Sequence, residues 1–276
     1  MPEDSKPAPY VEFRDVSKAF GDNVVLDHVS FDVVPAETVC ILGRSGVGKS
    51  VSLHHIMGFL KPDSGRVIVA GEDITDYNEE QLELIRKKVT MVFQNGALFD
   101  SMDVFENIRL GITDEDQYAD RDYCIRRVKE CLRLVNLNED VGRKYPSELS
   151  GGMRKRVGIS RAIAGKPTYL LYDEPTSGLD PVNADVIDSL IERLQQEIGV
   201  TSVVVTHDVR GAFRVADRIA LLAQAKIRAV GTAEEIIATK DPVVQQFLER
   251  DLEVAILQAN EETRLGNERE GKSKWT

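Results

Sequence analysis

From residue 10 the chain alternates apolar or β-branched residues with polar ones. The alternation covers residues 10–16 and again 24–34, with a turn-like Phe20-Gly21-Asp22-Asn23 between, and predicts two strands. Residues 38–42 differ: they form a continuous apolar run, the pattern of a strand covered on both faces. A glycine-rich stretch follows, then helical spacing over 49–60, closed by Lys61-Pro62-Asp63-Ser64-Gly65. Further strands read at 66–69, 89–93, 169–172 and 201–205, with helices between them, most clearly 79–88 and 181–198. Apolar runs alternating with helical segments predict an α/β fold with a largely parallel core sheet and an antiparallel β part.

Between 93 and 169 the pattern changes. Helical spacing at 104–111, 117–136 and 152–165, with few strand candidates, predicts a helical lobe at about 95–166 inserted in an α/β core of residues 10–240. Residues 241–276 read as an extension, partly helical and then disordered. Val243, Val244, Phe247, Leu248, Val254 and Leu257 keep amphipathic spacing, which suits a helix docking on a second copy, whereas 266–276 is polar and charged.

Composition narrows the class. A net charge of −11 and pI of about 5.0 lack the basic footprint of a general nucleic-acid binder, so no nucleic-acid partner is expected. No apolar run approaches the roughly 20 residues of a membrane-spanning helix. The opening Met1-Pro-Glu-Asp-Ser-Lys lacks the apolar core of a secretory leader. Cys40, Cys124 and Cys131 form no CxxC pair, and their odd count argues against a disulfide framework. Buried inert thiols in a cytosolic chain are expected. Any membrane role then comes through a partner.

Three segments carry chemistry. Gly43-Arg-Ser-Gly-Val-Gly-Lys-Ser50 fits GxxxxGK[ST], with a buried strand before it and a helix after it. Gly43, Arg44, Ser45, Gly46, Val47 and Gly48 can turn backbone N–H groups around phosphate oxygens. Lys49 neutralises β- and γ-oxygens, and Ser50 offers a hydroxyl to Mg²⁺. Residues 169–172 lead into Asp173 and Glu174, an apolar strand ending in two carboxylates. In a parallel sheet such strand ends face the ligand crevice. Asp173 suits the Mg²⁺ shell, and Glu174 can polarise an attacking water. Leu149-Ser-Gly-Gly-Met153 opens a helix rich in cations, Arg154, Lys155, Arg156 and Arg161, and Ser150 with Gly151 and Gly152 exposes a second anion-binding helix end. One chain thus carries two phosphate-binding ends and one acid pair, and a two-fold dimer would let each end meet the other copy's complement.

Residues 43–50, Gln94, 149–153, Tyr172-Asp173-Glu174-Pro175, Ser177-Gly-Leu-Asp180 and His207 occur in the order found in ABC ATPases, and over residues 10–240 the chain resembles that P-loop NTPase family. The resemblance implies ATP and Mg²⁺ as cofactors. It implies that Phe20 stacks on adenine and that Gln94 reaches Mg²⁺ and the attacking water. It implies that Ser150, Gly151 and Gly152 contact the γ-phosphate of ATP held by the opposite subunit. Asp180 resembles the aspartate at the dimer seam, and His207 the switch histidine at the γ-phosphate. His28, His54 and His55 read as ordinary structural residues, the last two following the phosphate loop on its helix. Met153 departs from the usual signature Gln; the backbone donors stay, and a side-chain hydrogen bond is lost.

Met153, with Arg154-Lys-Arg156 after it, and residues 95–107 resemble the ATPases of bacterial MCE-type, Mla-like phospholipid transport systems. That resemblance implies an integral permease subunit at the cytoplasmic face of the inner membrane, with an MCE-domain lipid-binding protein in the same complex. Leu98, Phe99, Val104 and Phe105 would line the groove for the permease. An ATPase for another cargo, such as amino acids or metal ions, shares the core motifs. A non-transport ABC protein acting on DNA or ribosomes fits less well, because long coiled coils and a second cassette are missing.

Overall fold

A computed structural model describes residues 10–249. β1 (Val11–Phe20) and β2 (Asn23–Val33) pair antiparallel across Gly21 and Asp22. With β4 (Ser64–Val69) and β5 (Glu72–Asp73) they form a four-stranded antiparallel sheet in the order β2-β1-β4-β5. The second sheet has six strands. It contains β3 (Thr38–Leu42), β6 (Val89–Val92), β7 (Tyr169–Asp173), β8 (Thr201–Thr206), β9 (Arg218–Ala223) and β10 (Lys226–Gly231), in the order β10-β9-β3-β8-β7-β6. All of its pairings are parallel except β9 with β10.

The continuous apolar run of β3 has a visible cause. Successive strand side chains point to opposite faces. Val39 and Ile41 therefore enter one apolar core, while Cys40 and Leu42 enter another. β7 divides the same way, Tyr169 and Leu171 against Leu170 and Tyr172. The first core is closed by the antiparallel sheet together with α1 (Lys49–Ile56) and α2 (Glu79–Arg86), through Phe13, Leu26, Leu53, Ile56, Leu82 and Ile85. The second is closed by helices between β6 and β7 and by α7 (Pro181–Ile198) and α8 (Val209–Val215). A strand covered on both faces has no polar side to show.

The segment between β6 and β7 is helical: α3 (Val104–Arg109), α4 (Glu115–Ala119), α5 (Arg121–Leu134) and α6 (Gly151–Ala164). Local chemistry sets the boundaries. Asp103 and Glu106 form a reciprocal capping box at the start of α3, and Asp180 caps α7, whose first residue is Pro181 and which ends at a left-handed Gly199. The single helix expected over 117–136 is two. Asp120 turns extended and caps α5 through the Asp122 and Tyr123 N–H groups, so it separates α4 from α5.

Cys40, Cys124 and Cys131 are free and buried, and burial pushes the Cys131 thiol up to about 11. Among the described residues no helix is long and apolar enough to cross a membrane. Beyond α9 (Ala233–Ala238), residues 242–249 are helical. Their apolar spacing is used inside this chain: Val244, Phe247 and Leu248 join the second core and so are not offered to another copy. The expectations for Val254, Leu257 and the tail at 266–276 lie outside the described residues.

Candidate active site

Four neighbouring strands, β3, β8, β7 and β6, end on the same side of the sheet because they run parallel. Their carboxyl ends release Gly43, His207, Glu174 and Gln94 respectively, which brings residues far apart in sequence to one crevice. A cavity of about 500 Å³ lies there, lined among others by Phe20, Ser45, Gly46, Gly48, Lys49, Ser50, Gln94, Asp173, Glu174, Ser177 and His207. That volume is within the roughly 300–1,000 Å³ of small-molecule pockets.

The loop from Gly43 to Gly48 needs its glycines for stated reasons. Gly48, the residue before α1, has φ 108°, and a Cβ there would sit 2.5 Å from Val25 Cγ1. At Gly43 a Cβ would run into the Leu222 carbonyl oxygen. Arg44 and Val47 belong to this loop but stand outside the cavity lining, and Arg44 contributes its carbonyl oxygen.

Lys49 is only 5% exposed. Its Nζ donates to the Gly43 carbonyl at 2.8 Å and the Arg44 carbonyl at 3.0 Å, and pairs with Glu174 Oε1 at 3.0 Å. Ser50 Oγ donates to Asp173 Oδ1 at 2.7 Å. Glu174 sits in the left-handed region at φ 47°, a conformation that costs a non-glycine residue about 1–3 kcal/mol. Its N–H still bonds the Val205 carbonyl at 2.9 Å, so the turn is held by the neighbouring strand.

The second carboxylate oxygen of Glu174 faces His207. His207 Nδ1 lies 2.7 Å from Oε2, and the His207 backbone N–H donates to the same oxygen at 3.3 Å. An ionised carboxylate only accepts, so Nδ1 carries the proton and Nε2 is the free ring nitrogen of the neutral form. Gln94 Nε2 donates to Ser177 Oγ at 3.0 Å. Ser177, which the sequence marks only as part of a motif, is the hydrogen-bond partner of Gln94 and part of the lining.

The remaining candidates lie elsewhere. Ser150 caps α6 by accepting from the Met153 N–H at 3.3 Å, and Asp180 accepts from Asn183 N–H at 3.1 Å and Nδ2 at 2.6 Å. Ser150, Gly151 and Asp180 are exposed, Gly152 is buried, and none of them lines the cavity.

The donor set fits a triphosphate with Mg²⁺. A buried ammonium, a glycine loop and a helix start face one space, and a hydroxyl and a carboxylate lie side by side within it. Among the described residues no group of three or more His, Cys, Asp or Glu could hold a metal ion by itself. Mg²⁺ is commonly held by one or two protein ligands plus substrate phosphates.

Comparison with known proteins agrees with the geometry. Residues 26–177 match the family model described as ABC transporter. The intermembrane phospholipid transport system ATP-binding protein MlaF of Escherichia coli K12 is 38% identical over 242 residues, covering 88% of this chain and 89% of that one. The methionine import ATP-binding protein MetN of Clostridium tetani is 35% identical over 241 residues, 87% of this chain and 75% of that one. The dimeric post-hydrolysis structure of the ATP-binding cassette MJ0796 bound to ADP and Pi superposes with a TM-score of 0.73 at 32% identity, covering 80% of this chain and 98% of that chain. The glycine loop, the acid pair at a parallel strand end and these similarities together place the chain in the ABC transporter family, as an ATP-binding ATPase.

Proposed function

We propose that this ATPase powers a membrane transporter that moves phospholipids between bacterial membranes, working as a two-fold pair of copies beneath an integral permease subunit. An MCE-domain lipid-binding protein completes the complex, and the chain sits at the cytoplasmic face of the inner membrane through the permease. Residues 10–240 form the ATPase domain, with 95–166 as its helical lobe. The observation that carries the hydrolytic assignment is the Glu174 carboxylate, bridged between Lys49 on one oxygen and His207 on the other inside the cavity.

In this reading Phe20 stacks on adenine, and the loop of Gly43, Arg44, Ser45, Gly46, Val47 and Gly48 wraps the phosphates. Ser50, Asp173 and Gln94 would hold Mg²⁺, which when bound supplies positive charge to the phosphate oxygens. Lys49 adds its own charge to the β- and γ-oxygens. Glu174 takes a proton from the attacking water. The hydrogen bond from His207 Nδ1 keeps that carboxylate aimed, leaving Nε2 for the γ-phosphate. Ser150, Gly151 and Gly152 reach the γ-phosphate held by the other copy, and Asp180 lies at the seam. The position of all four outside the chain's own cavity, with Ser150, Gly151 and Asp180 exposed, supports this division, as does the similar MJ0796 cassette, which is described as dimeric.

The lipid cargo rests on the MlaF similarity together with Met153 and residues 95–107. A methionine-type importer is the second reading, favoured by the MetN similarity at 35%. Cargo and partner are tested together by purification from native membranes. Recovery of an integral membrane subunit and an MCE-domain protein is expected, and recovery of neither would sink the lipid reading. For the chemistry, Glu174→Gln is expected to bind ATP and trap a dimer while turnover falls by at least about 100-fold, the loss of roughly 2.7–4 kcal/mol typical of one catalytic group. Near-normal turnover would remove Glu174 from the role of base.

A further inference from the structure

The cations that follow the second glycine motif are turned toward backbone carbonyls. Arg154 Nη1 donates to the Leu149 carbonyl at 2.7 Å, and Arg161 donates to the carbonyls of Ala97 at 2.6 Å and Gly96 at 3.0 Å. Lys155 goes furthest inward. It is 8% exposed, and its Nζ donates to the Pro175 carbonyl at 2.8 Å and the Ser177 carbonyl at 2.5 Å.

Those two carbonyls belong to the turn that directly follows Glu174. Ser177 in that turn also accepts the Gln94 hydrogen bond. Lys155 is therefore a direct hydrogen-bonded link between α6, which Ser150 caps, and the turn that carries the catalytic carboxylate and the Gln94 partner. A charge removed from water needs strong acceptors, and among the described residues no carboxylate pairs with Lys155 within 4.0 Å. Burial pulls its pKa below the ordinary value, and the charge of Glu174 pulls the other way.

We propose that Lys155 is a positioning residue for ATP hydrolysis: its ammonium fastens the turn after Glu174 to α6, so that the exposed glycine end and the catalytic carboxylate move as one body. This rests on the composite-site reading above. Contact of Ser150 and Gly151 with a phosphate on the other copy would then be felt at Glu174 of the same chain, coupling the two sites. Neither oxygen of Glu174 is touched, so Lys155 acts on geometry and not on substrate.

The test is steady-state hydrolysis by the full chain carrying Lys155→Met, which keeps length and removes the donors, with Tm measured alongside and rates expressed per folded chain. The expected result is a kcat lower by about ten- to hundred-fold with the KM for MgATP within about two-fold of the parent, the pattern of a displaced catalytic group. Lys155→Gln, which keeps neutral donors, is expected to fall between the two, since such bonds are roughly half as strong. If Lys155→Met does not fold, the same split is read on Lys155→Gln. A normal kcat, or a KM that rises as much as kcat falls, overturns the proposal. Glu174→Gln is run in parallel. If it is inactive while Lys155→Met turns over normally, Lys155 alone loses its role; if Glu174→Gln is itself fast, both assignments fall.

Discussion

The two helix ends proposed to meet phosphate are built differently. The end at α1 is interior. Lys49 is almost fully buried, its partners come from the loop and from β7, and the cavity wall includes residues released by four strands. The end at α6 is a surface. Ser150 and Gly151 are exposed, Ser150 bonds only within its own first turn, and a Cβ at Gly151 would meet nothing closer than Leu179 at 3.7 Å. The first end is part of the fold. The second is displayed by the fold, where another molecule can reach it.

This difference predicts which property each half reports. Gly151→Glu places a carboxylate at the first position of α6. The fold has room for it, and a negative charge at a helix start is favourable by about 0.3–1 kcal/mol. The same charge repels a phosphate. Hydrolysis is expected to fall by at least about 100-fold, while Tm holds and nucleotide binding to the single chain is unchanged. A clear drop in Tm, or near-normal turnover, would contradict this assignment.

The interior half should report through stability. Asp188 on α7 is 5% exposed, and both it and Asp208, next to His207, set a carboxylate oxygen against Gly211. Burial, and then the charge of Asp208, push Asp188 up to about 7, with Arg214 pulling down. The folded state thus holds a proton on Asp188 that the unfolded chain releases near pH 4. Stability from this group is greatest below about pH 4 and is lost as pH rises through about 7. Asp188→Asn removes that slope. Its Tm is expected to exceed the parent's at pH 8 by at least about 3 °C, and the gain should shrink toward acid pH. An equal gain at every pH would show that Asp188 is not the titrating group.

Much of the catalytic half was legible in the chain because the chemistry constrains neighbours in sequence. A phosphate loop needs glycines, Lys49 and Ser50 within one turn, and Asp173 and Glu174 share one strand end. What escaped reading depends on distance or on unusual turns. The β9–β10 hairpin closes on Gln224 and Ala225 at φ 53° and 62°, where glycine or asparagine is the usual signal, so nothing marked it. The break at Asp120 looks like any polar position in a helical pattern until the cap is seen. Lys155 is one cation in a run of them, and only the fold sends it to Pro175 and Ser177. The spacing of 243–248 was visible, yet the surface it covers was not: Val244, Phe247 and Leu248 pack on their own chain.

The claim that each catalytic centre is shared between two copies has a direct measurement. Chains carrying Lys49→Ala are mixed in equal amounts with chains carrying Gly151→Glu, each inactive alone, and ATP hydrolysis is followed. If the site takes its loop from one copy and its glycine end from the other, half of randomly paired dimers hold one intact site, and about a quarter of the parent rate returns. If both ends served one site within a single chain, no mixture would hold an intact site, and the rate would stay at background.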